Sequence, residues 1–300
     1  MPFDPDRYFA RIGYRGARVP TLDVLTELHR LHPHAIPFEN LDPLAGRRVV
    51  LTLPAIAEKL VESRRGGYCF EHNTLFAHVL MQLGFRVTPL IARVLWGRGP
   101  DAVTARSHML LRVDLDDGPW IADVGFGGVT LTAPLRLAAG GVQQTPLEAC
   151  RLTEAADGAF DFEIQAPRQE ISQEISQETS QEASQDTAQS AADSSWIKVY
   201  RFDLRPAEWI DYEVANWYTS TWPESIFTHN LMVCRVMPHG RATLFNDRLT
   251  ERASDGRGTD HAIGSAAELG ECLHERFGLD IAGMDLDALY ARVQGRGMNV

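Results

Sequence analysis

Apolar residues recur at helical spacing through the first part of the chain and change to strand-like runs from Phe85 onward. Thr21 follows Pro20 and precedes Leu22, Leu25 and Leu28 on one face, the pattern of a capped amphipathic helix. Pro54 stands near the start of a second helix carrying Ile56, Leu60 and Val61. A third begins near Cys69; Leu75, Phe76, Val79, Leu80 and Leu83 recur at helical spacing, and Gly84 suits its C-terminal cap. Residues 1–84 are therefore expected to form a helical bundle that carries Cys69.

Residues 87–96 are rich in apolar and β-branched side chains, with Pro89 pointing to an edge or a bulge. Residues 108–115 and 120–124 flank Asp116-Asp117-Gly118-Pro119, a hairpin signal. Further strands are expected at 159–166 and 196–204, which makes 85–204 a β-barrel or a strongly curved sheet. Within it, about 168–195, lies a low-complexity repeat of the type QEIS-QEIS-QETS-QEAS. As a helix it would stack Glu170, Glu174, Glu178 and Glu182 at i,i+4 with no Lys to relieve them. It also has too little apolar surface to offset the cost of ordering, so it reads as a flexible insertion between two strands. Residues 205–300 return to mixed structure. A connecting helix is expected at 207–218, strands at 227–237 and 241–245, and helices at 266–277 and 286–293. The fold class is α+β in three subdomains.

The chain of 300 residues is 44% hydrophobic and 23% charged, ordinary for a globular enzyme. Its formal net charge of −11 is partly local, since Glu170, Glu174, Glu178, Glu182, Asp186 and Asp193 lie in a stretch without Lys or Arg. An acidic chain without a basic cluster argues against nucleic acid or an anionic membrane as partner. Cys69, Cys150, Cys234 and Cys272 form no C-x-x-C pair, so no metal site is expected. The first residues lack a basic and apolar leader pattern, and no apolar run reaches membrane-span length. The expectation is a cytoplasmic protein with reduced thiols.

The densest chemistry lies in Arg65-Gly66-Gly67-Tyr68-Cys69-Phe70-Glu71-His72-Asn73. A thiol at a helix start faces the positive end of the helix dipole, which favours the nucleophilic thiolate. Such a nucleophile needs a base and a group that orients the base. His108 opens one strand of the expected hairpin and Asp123 ends the other. In a register that sets position 110 opposite 123, Asp123 lies diagonally from His108, roughly 7 Å along the backbone. A slip by one residue turns Asp123 to the other face. Taken singly, each residue has a plain structural explanation: a buried small hydrophobe, a satisfied strand histidine, a turn former. The helix-start, strand, strand order joins them into a candidate triad. His72 and His78, on the Cys69 helix, rank as packing or surface residues.

These residues carry a resemblance. The segment at 65–73, with Ser107-His108 and Ala122-Asp123-Val124-Gly125-Phe126-Gly127, resembles the arylamine N-acetyltransferase family. Ile36-Pro37-Phe38-Glu39-Asn40-Leu41 and Ser220-Thr221-Trp222-Pro223-Glu224-Ser225-Ile226-Phe227 resemble two further motifs of that family, in the right order. The likeness runs from about residue 5 to about residue 250; the 168–195 insertion departs from it.

The resemblance implies a helical bundle, a β-barrel and a C-terminal α/β lid, with a Cys-His-Asp triad in papain/transglutaminase-like topology: Cys69, His108 and Asp123. It implies ping-pong transfer of acetyl from acetyl-CoA, as co-substrate rather than bound cofactor, to arylamines, arylhydroxylamines or hydrazines. It also implies a substrate and CoA cleft bordered by Phe38, Phe126, Gly127, Gly128 and Phe227. Glu39 and Arg65 are expected to form a buried structural ion pair. The alternatives are a cysteine hydrolase of papain or transglutaminase type, an amide synthase of the same family, and a non-catalytic scaffold. Deleting 169–190 is expected to leave the unfolding midpoint and turnover nearly unchanged; a large loss of either would show that the repeat is part of the working fold.

Overall fold

A computed structural model of the chain describes residues 3–99, 102–165 and 196–296. The helical part holds α1 (Pro5–Ile12), α2 (Leu22–Ala35), the short α3 (Leu41–Leu44), α4 (Leu53–Ala57) and α5 (Cys69–Gln82). Thr21 caps α2 by accepting from Val24 N, as its pattern predicts. α4 widens into a π-turn over Glu58–Glu62, so Ile56, Leu60 and Val61 still reach the core. A two-residue strand, β1 (Phe38–Glu39), separates α2 from α3.

The central sheet contains β2 (Arg86–Val94), β3 (Arg106–Leu115), β4 (Gly118–Ala122), β5 (Leu135–Arg136), β6 (Val142–Gln144), β7 (Ala149–Glu154), β8 (Phe160–Gln165) and β9 (Trp196–Phe202). Its eight strands run in the order β5-β4-β3-β2-β9-β8-β7-β6, all neighbours antiparallel. The sheet curls until its two edges meet. There the side-chain amide of Gln143 on β6 acts as a substitute peptide. Gln143 Oε1 accepts from Arg136 N at 2.7 Å, and Gln143 Nε2 donates to Arg136 O at 2.9 Å. The result is a near-closed barrel.

Pro89 sits in β2 without breaking the sheet. Its carbonyl accepts from Ala207 N at 2.9 Å, on the side that β9 does not cover, because β9 pairs only with Ala92, Arg93 and Val94. The bulge of this ladder falls instead on β3, where Ser107 is left over between the Ala92–His108 and Arg93–Arg106 pairs. The β3–β4 hairpin pairs Leu111 with Ala122 and Leu115 with Gly118. That register sets position 110 opposite 123. The expected insertion at 168–195 lies outside the described residues; the flanking Gln165 and Trp196 are paired with each other.

After the barrel come α6 (Trp209–Thr221), α7 (Ile226–His229), β10 (Met232–Met237), β11 (Gly240–Phe245), β12 (Arg248–Ala253), β13 (Gly258–Ala262), α8 (Ala266–Glu271) and α9 (Leu286–Val293). The strand expected at 227–237 is shorter than its apolar run. Ser225 Oγ caps Phe227 N, so residues 226–229 turn as a helix, and Asn40 Nδ2 binds the carbonyls of Phe227 and Asn230. Extended pairing begins only at Met232. The helix expected at 266–277 begins as α8 and continues as a π-turn over Cys272–Arg276. The second sheet runs β1-β10-β11-β12-β13. β1 thus ties the helical part to the C-terminal sheet, through Phe38 opposite Cys234.

The buried apolar residues gather in three clusters. One joins α1, α2, α4, α5 and α6 to Met109, Leu111, Val113 and Ala122 of the hairpin. A second fills the barrel with Leu90, Leu110, Ile121, Leu152, Phe162, Tyr200 and Phe202. A third packs β10, β11 and β12 on α8 and α9, and takes in Leu41 and Leu44 of α3. β3 therefore faces two cores, with Met109, Leu111 and Val113 toward the helices and Leu110 toward the barrel. Replacing Gln143 with Ala removes both bonds at the barrel seam and is expected to lower stability by about 1–2 kcal/mol. A urea midpoint unchanged from wild type would show that the seam is held by other contacts.

Candidate active site

The site forms where the first turn of α5 meets the end of the β3–β4 hairpin. Tyr68 precedes α5, and its N–H is bound by Glu71 Oε2 at 3.1 Å, which satisfies a helix-start donor that would otherwise be orphaned. Glu71 is buried, and its Oε1 pairs with Lys59 Nζ at 2.8 Å. Lys59 also pairs with Asp42 (2.7 Å), and Arg65 Nε donates to Glu39 Oε1 at 2.9 Å. Burial pushes the Glu71 carboxyl up despite Lys59. Burial works against the Lys59 charge, yet Glu71, Glu39 and Asp42 outweigh it and hold the ammonium above its ordinary range. Five charged side chains thus clamp the chain ahead of α5, and Glu39 and Arg65 form the ion pair read from the sequence.

The two glycines before Tyr68 are required by close approach. A Cβ on Gly66 would stand 2.1 Å from Pro37 O, and Glu39 N donates to Gly67 O at 2.7 Å. This brings residues 37–39 against the turn and leaves Cys69 as the first residue of α5, 4% exposed, its Sγ 3.7 Å from Ser107 O.

His108 and Asp123 reach each other from the two strands of the hairpin. His108 Nε2 lies 2.7 Å from Asp123 Oδ2, with both side chains buried. Nε2 is committed to Asp123, so Nδ1 is the ring nitrogen left for the Cys69 thiol. Burial disfavours the imidazolium, but Asp123 outweighs it, with a smaller contribution from Cys69, and the His108 pKa rises well above its ordinary value. Burial alone would raise the Asp123 carboxyl. His108, Asn73 Nδ2 (3.0 Å to Oδ1) and Gly125 N (3.0 Å to Oδ1) reverse that and hold it low. The His108 ring packs against Tyr200 (4.9 Å between centroids) and edge-on to Phe126 (5.0 Å). The three predicted residues therefore share one buried site.

The rival histidines sit in different surroundings. His72 Nε2 donates to Pro37 O at 3.2 Å, so its Nδ1 accepts from His32 Nε2 at 2.8 Å, and His32 Nδ1 accepts from Tyr8 Oη at 2.8 Å. One proton polarity runs through this chain and keeps both rings neutral. Burial pushes His72 down to about 4 and His32 well below its ordinary value. His29 Nε2 accepts from Asp123 N at 3.2 Å, and burial lowers it to about 4. His78 Nδ1 meets Thr74 O, and its ring lies tilted against Trp209.

The residues predicted to border the cleft divide into two groups. Phe126 belongs to the His108 surroundings. Phe38 and Phe227 face each other at 6.3 Å, and Phe227 lies 5.4 Å from Tyr68. Gly127 joins the groups: a Cβ there would come 3.3 Å from the Phe38 ring, and its φ is +97°. Gly128 is exposed with open space beside it. Gly125, which opens the glycine-containing loop expected at the cleft, packs against Cys69; a Cβ there would stand 3.0 Å from Cys69 Cα.

A family model described as N-acetyltransferase matches residues 21–286. The chain belongs to the arylamine N-acetyltransferase family. It is 39% identical to an arylamine N-acetyltransferase of Escherichia coli, over 92% of this chain and 89% of that protein. It is 40% identical to one of Mycobacterium tuberculosis, over 98% of this chain and 99% of that protein. The solved structure of an M. tuberculosis arylamine N-acetyltransferase superposes with a TM-score of 0.84 at 39% identity, covering 97% of this chain and 99% of that one. A Mycobacterium marinum arylamine N-acetyltransferase in complex with CoA gives 0.84 at 37% identity, covering 97% and 98%. Membership in this family makes the chain an acetyltransferase.

Among the described residues no helix is long and apolar enough to cross a membrane, and no His, Cys, Asp and Glu group gathers as a metal site. Sequence reasoning assigned no role to Asn73, His29 or Tyr200. Asn73 carried a signal, since it stands one turn after Cys69 on α5; the other two are placed by packing between distant segments. The three buried neutral histidines set a pH response. Each has a folded pKa below its unfolded value, so the unfolded chain binds more protons below about pH 6.5. Stability is therefore expected to fall with pH from 6.5 to 5, by about 2 kcal/mol for each of His29 and His72 at pH 5. Urea unfolding at both pH values checks this; equal stability would mean that the rings are protonated in the fold.

Proposed function

We propose that this chain transfers acetyl from acetyl-CoA to arylamines, arylhydroxylamines or hydrazines through an acetyl-Cys69 intermediate. The observation that carries the reading is the buried His108–Asp123 pair at 2.7 Å beside a cysteine that opens a helix. Cys69, activated by His108 Nδ1 and the start of α5, attacks the thioester carbonyl. The tetrahedral species collapses as the CoA sulfur leaves, taking the proton held by His108. The exchange of one thioester for another is nearly isoenergetic and keeps the acyl group activated. The amine then attacks acetyl-Cys69, His108 accepts its proton, and the Cys69 thiolate is released with the imidazolium restored. Asp123 fixes the His108 tautomer and stabilises its positive charge.

The apolar walls support an aromatic acceptor over water. Phe38, Phe227 and Tyr68 form one aromatic group, and Phe126 shields His108 from the other side. Phe126, Gly127 and Gly128 follow Asp123 directly and, with Phe38 and Phe227, border the cleft for acceptor and CoA in this reading. Cys150, Cys234 and Cys272 are free, and burial raises each of their pKa values, which disfavours the thiolate at all three. A free catalytic thiol suits the reducing cytoplasm.

Intact mass after incubation with acetyl-CoA tests the reading. One acetyl group is expected on wild type and none on Cys69→Ser, with an arylamine discharging the adduct faster than water. No adduct on wild type, or an adduct that survives in Cys69→Ser, overturns the assignment. Discharge by water at the same rate as by amine would make the protein a hydrolase.

A further inference from the structure

Asn73 is buried, and every polar atom of its side chain is engaged at the triad. Nδ2 donates to Asp123 Oδ1 (3.0 Å) and to Met109 O (2.7 Å), and Oδ1 accepts from Val124 N (3.1 Å). Met109 follows His108 on β3, and Val124 follows Asp123 after β4. Asn73 itself lies one helical turn beyond Cys69 on α5. One carboxamide thus links the helix of the nucleophile, the strand of the base and the carboxylate.

We infer that Asn73 is a positioning residue of the triad: it locks Asp123 Oδ1 so that Oδ2 stays on His108 Nε2, and it sets the distance between α5 and the hairpin. The inference rests on the catalytic reading of Cys69, His108 and Asp123.

Chemistry makes the amide the suitable group. Asp123 Oδ1 needs donors, Met109 O needs a donor and Val124 N needs an acceptor, and a carboxamide supplies donors and acceptor within one planar group. A carboxylate has no donor, and a hydroxyl is too short to meet all three. Without Asn73, Asp123 Oδ1 keeps only Gly125 N, and the carboxylate is free to turn about its own bonds. On the backbone side Asp123 N is held by His29 Nε2, so the main chain stays in place while the carboxylate loses its orientation. The groups that face Asp123 are then His108, Tyr200, His29 and Gly125. Of these, only His108 gains or loses an imidazolium when Asp123 turns away. A less stabilised imidazolium shifts the Cys69–His108 pair from thiolate and imidazolium toward thiol and imidazole.

The experiment compares wild type, Asn73→Ala, Asp123→Asn and the double variant by the pH profile of Cys69 alkylation with iodoacetamide, beside acetyl-enzyme formation. In Asn73→Ala the alkylation rate at neutral pH is expected to fall by about tenfold, as for loss of one hydrogen bond to a charged group, and the rise in rate moves toward the pH of an ordinary thiol. KM for the acceptor stays near the wild-type value while both half-reactions slow. In the Asp123→Asn background the same substitution is expected to change the rate little, because its action runs through Asp123. A folded Asn73→Ala with a wild-type alkylation profile, or a loss that adds fully to that of Asp123→Asn, overturns the inference. If Asn73→Ala does not fold, Asn73→Leu, close in shape but without donor or acceptor, takes its place. It is expected to lower the neutral-pH alkylation rate as Asn73→Ala would, and a wild-type profile there overturns the inference equally. Failure of wild type to acetylate at Cys69 is a separate outcome, which removes the catalytic reading itself.

Discussion

The molecule depends on a single meeting of two unlike elements, the first turn of α5 and the end of the β3–β4 hairpin. The nucleophile candidate comes from one and the His108–Asp123 pair from the other. A carboxylate and an imidazolium buried together are costly unless their remaining donors and acceptors are satisfied. Here Asn73 and Gly125 satisfy Asp123 Oδ1, and the Asp123 backbone N–H finds His29. The hairpin is held in place because β3 is buried on both faces, one against the helices and one inside the barrel. Two cores thus converge on the strand that carries His108, and displacing it would disturb both.

Electrostatics around the site separate four histidines that look alike in the sequence. His108 has a carboxylate at hydrogen-bond distance and is held in the charged form. His29, His32 and His72 are equally buried but are offered carbonyl, amide, hydroxyl or imidazole partners, so burial keeps them neutral. The difference is one carboxylate, not burial. On the opposite side of α5, Glu71, Lys59, Asp42, Arg65 and Glu39 form a compact charged group. It fixes the entry of the chain into the helix and leaves Cys69 facing the hairpin.

Much of this was legible in the residue pattern. The capped α2, the start of α5 at Cys69 and the hairpin around Asp116 and Asp117 follow local rules of capping, periodicity and turn chemistry. The Asp123 placement was legible only as a condition on the hairpin register, which the observed two-residue turn meets by setting Leu115 opposite Gly118. Other features were not legible. Residues 226–229 have a strand-like apolar content but turn as α7, because Ser225 caps them and Asn40, far away in sequence, binds their carbonyls. Short strands such as β5 and β6 owe their existence to closure of the barrel, where Gln143 stands in for a neighbour. Their own residues carry too little pattern to declare them.

The sequence by itself determined where the candidate groups stand: a cysteine at a helix start, and a histidine and an aspartate from the two sides of one hairpin. These are local facts, since helix caps and tight turns are set by residues a few positions apart. The tertiary structure decided which groups hold that chemistry in place. Tyr200 beside His108, His29 on the Asp123 backbone, the carboxamide of Asn73 across two strands, and β1 as the edge of a distant sheet all join segments far apart in the chain. Such contacts are specified by the packing of whole cores against one another. No window of sequence contains the surface on which they are chosen.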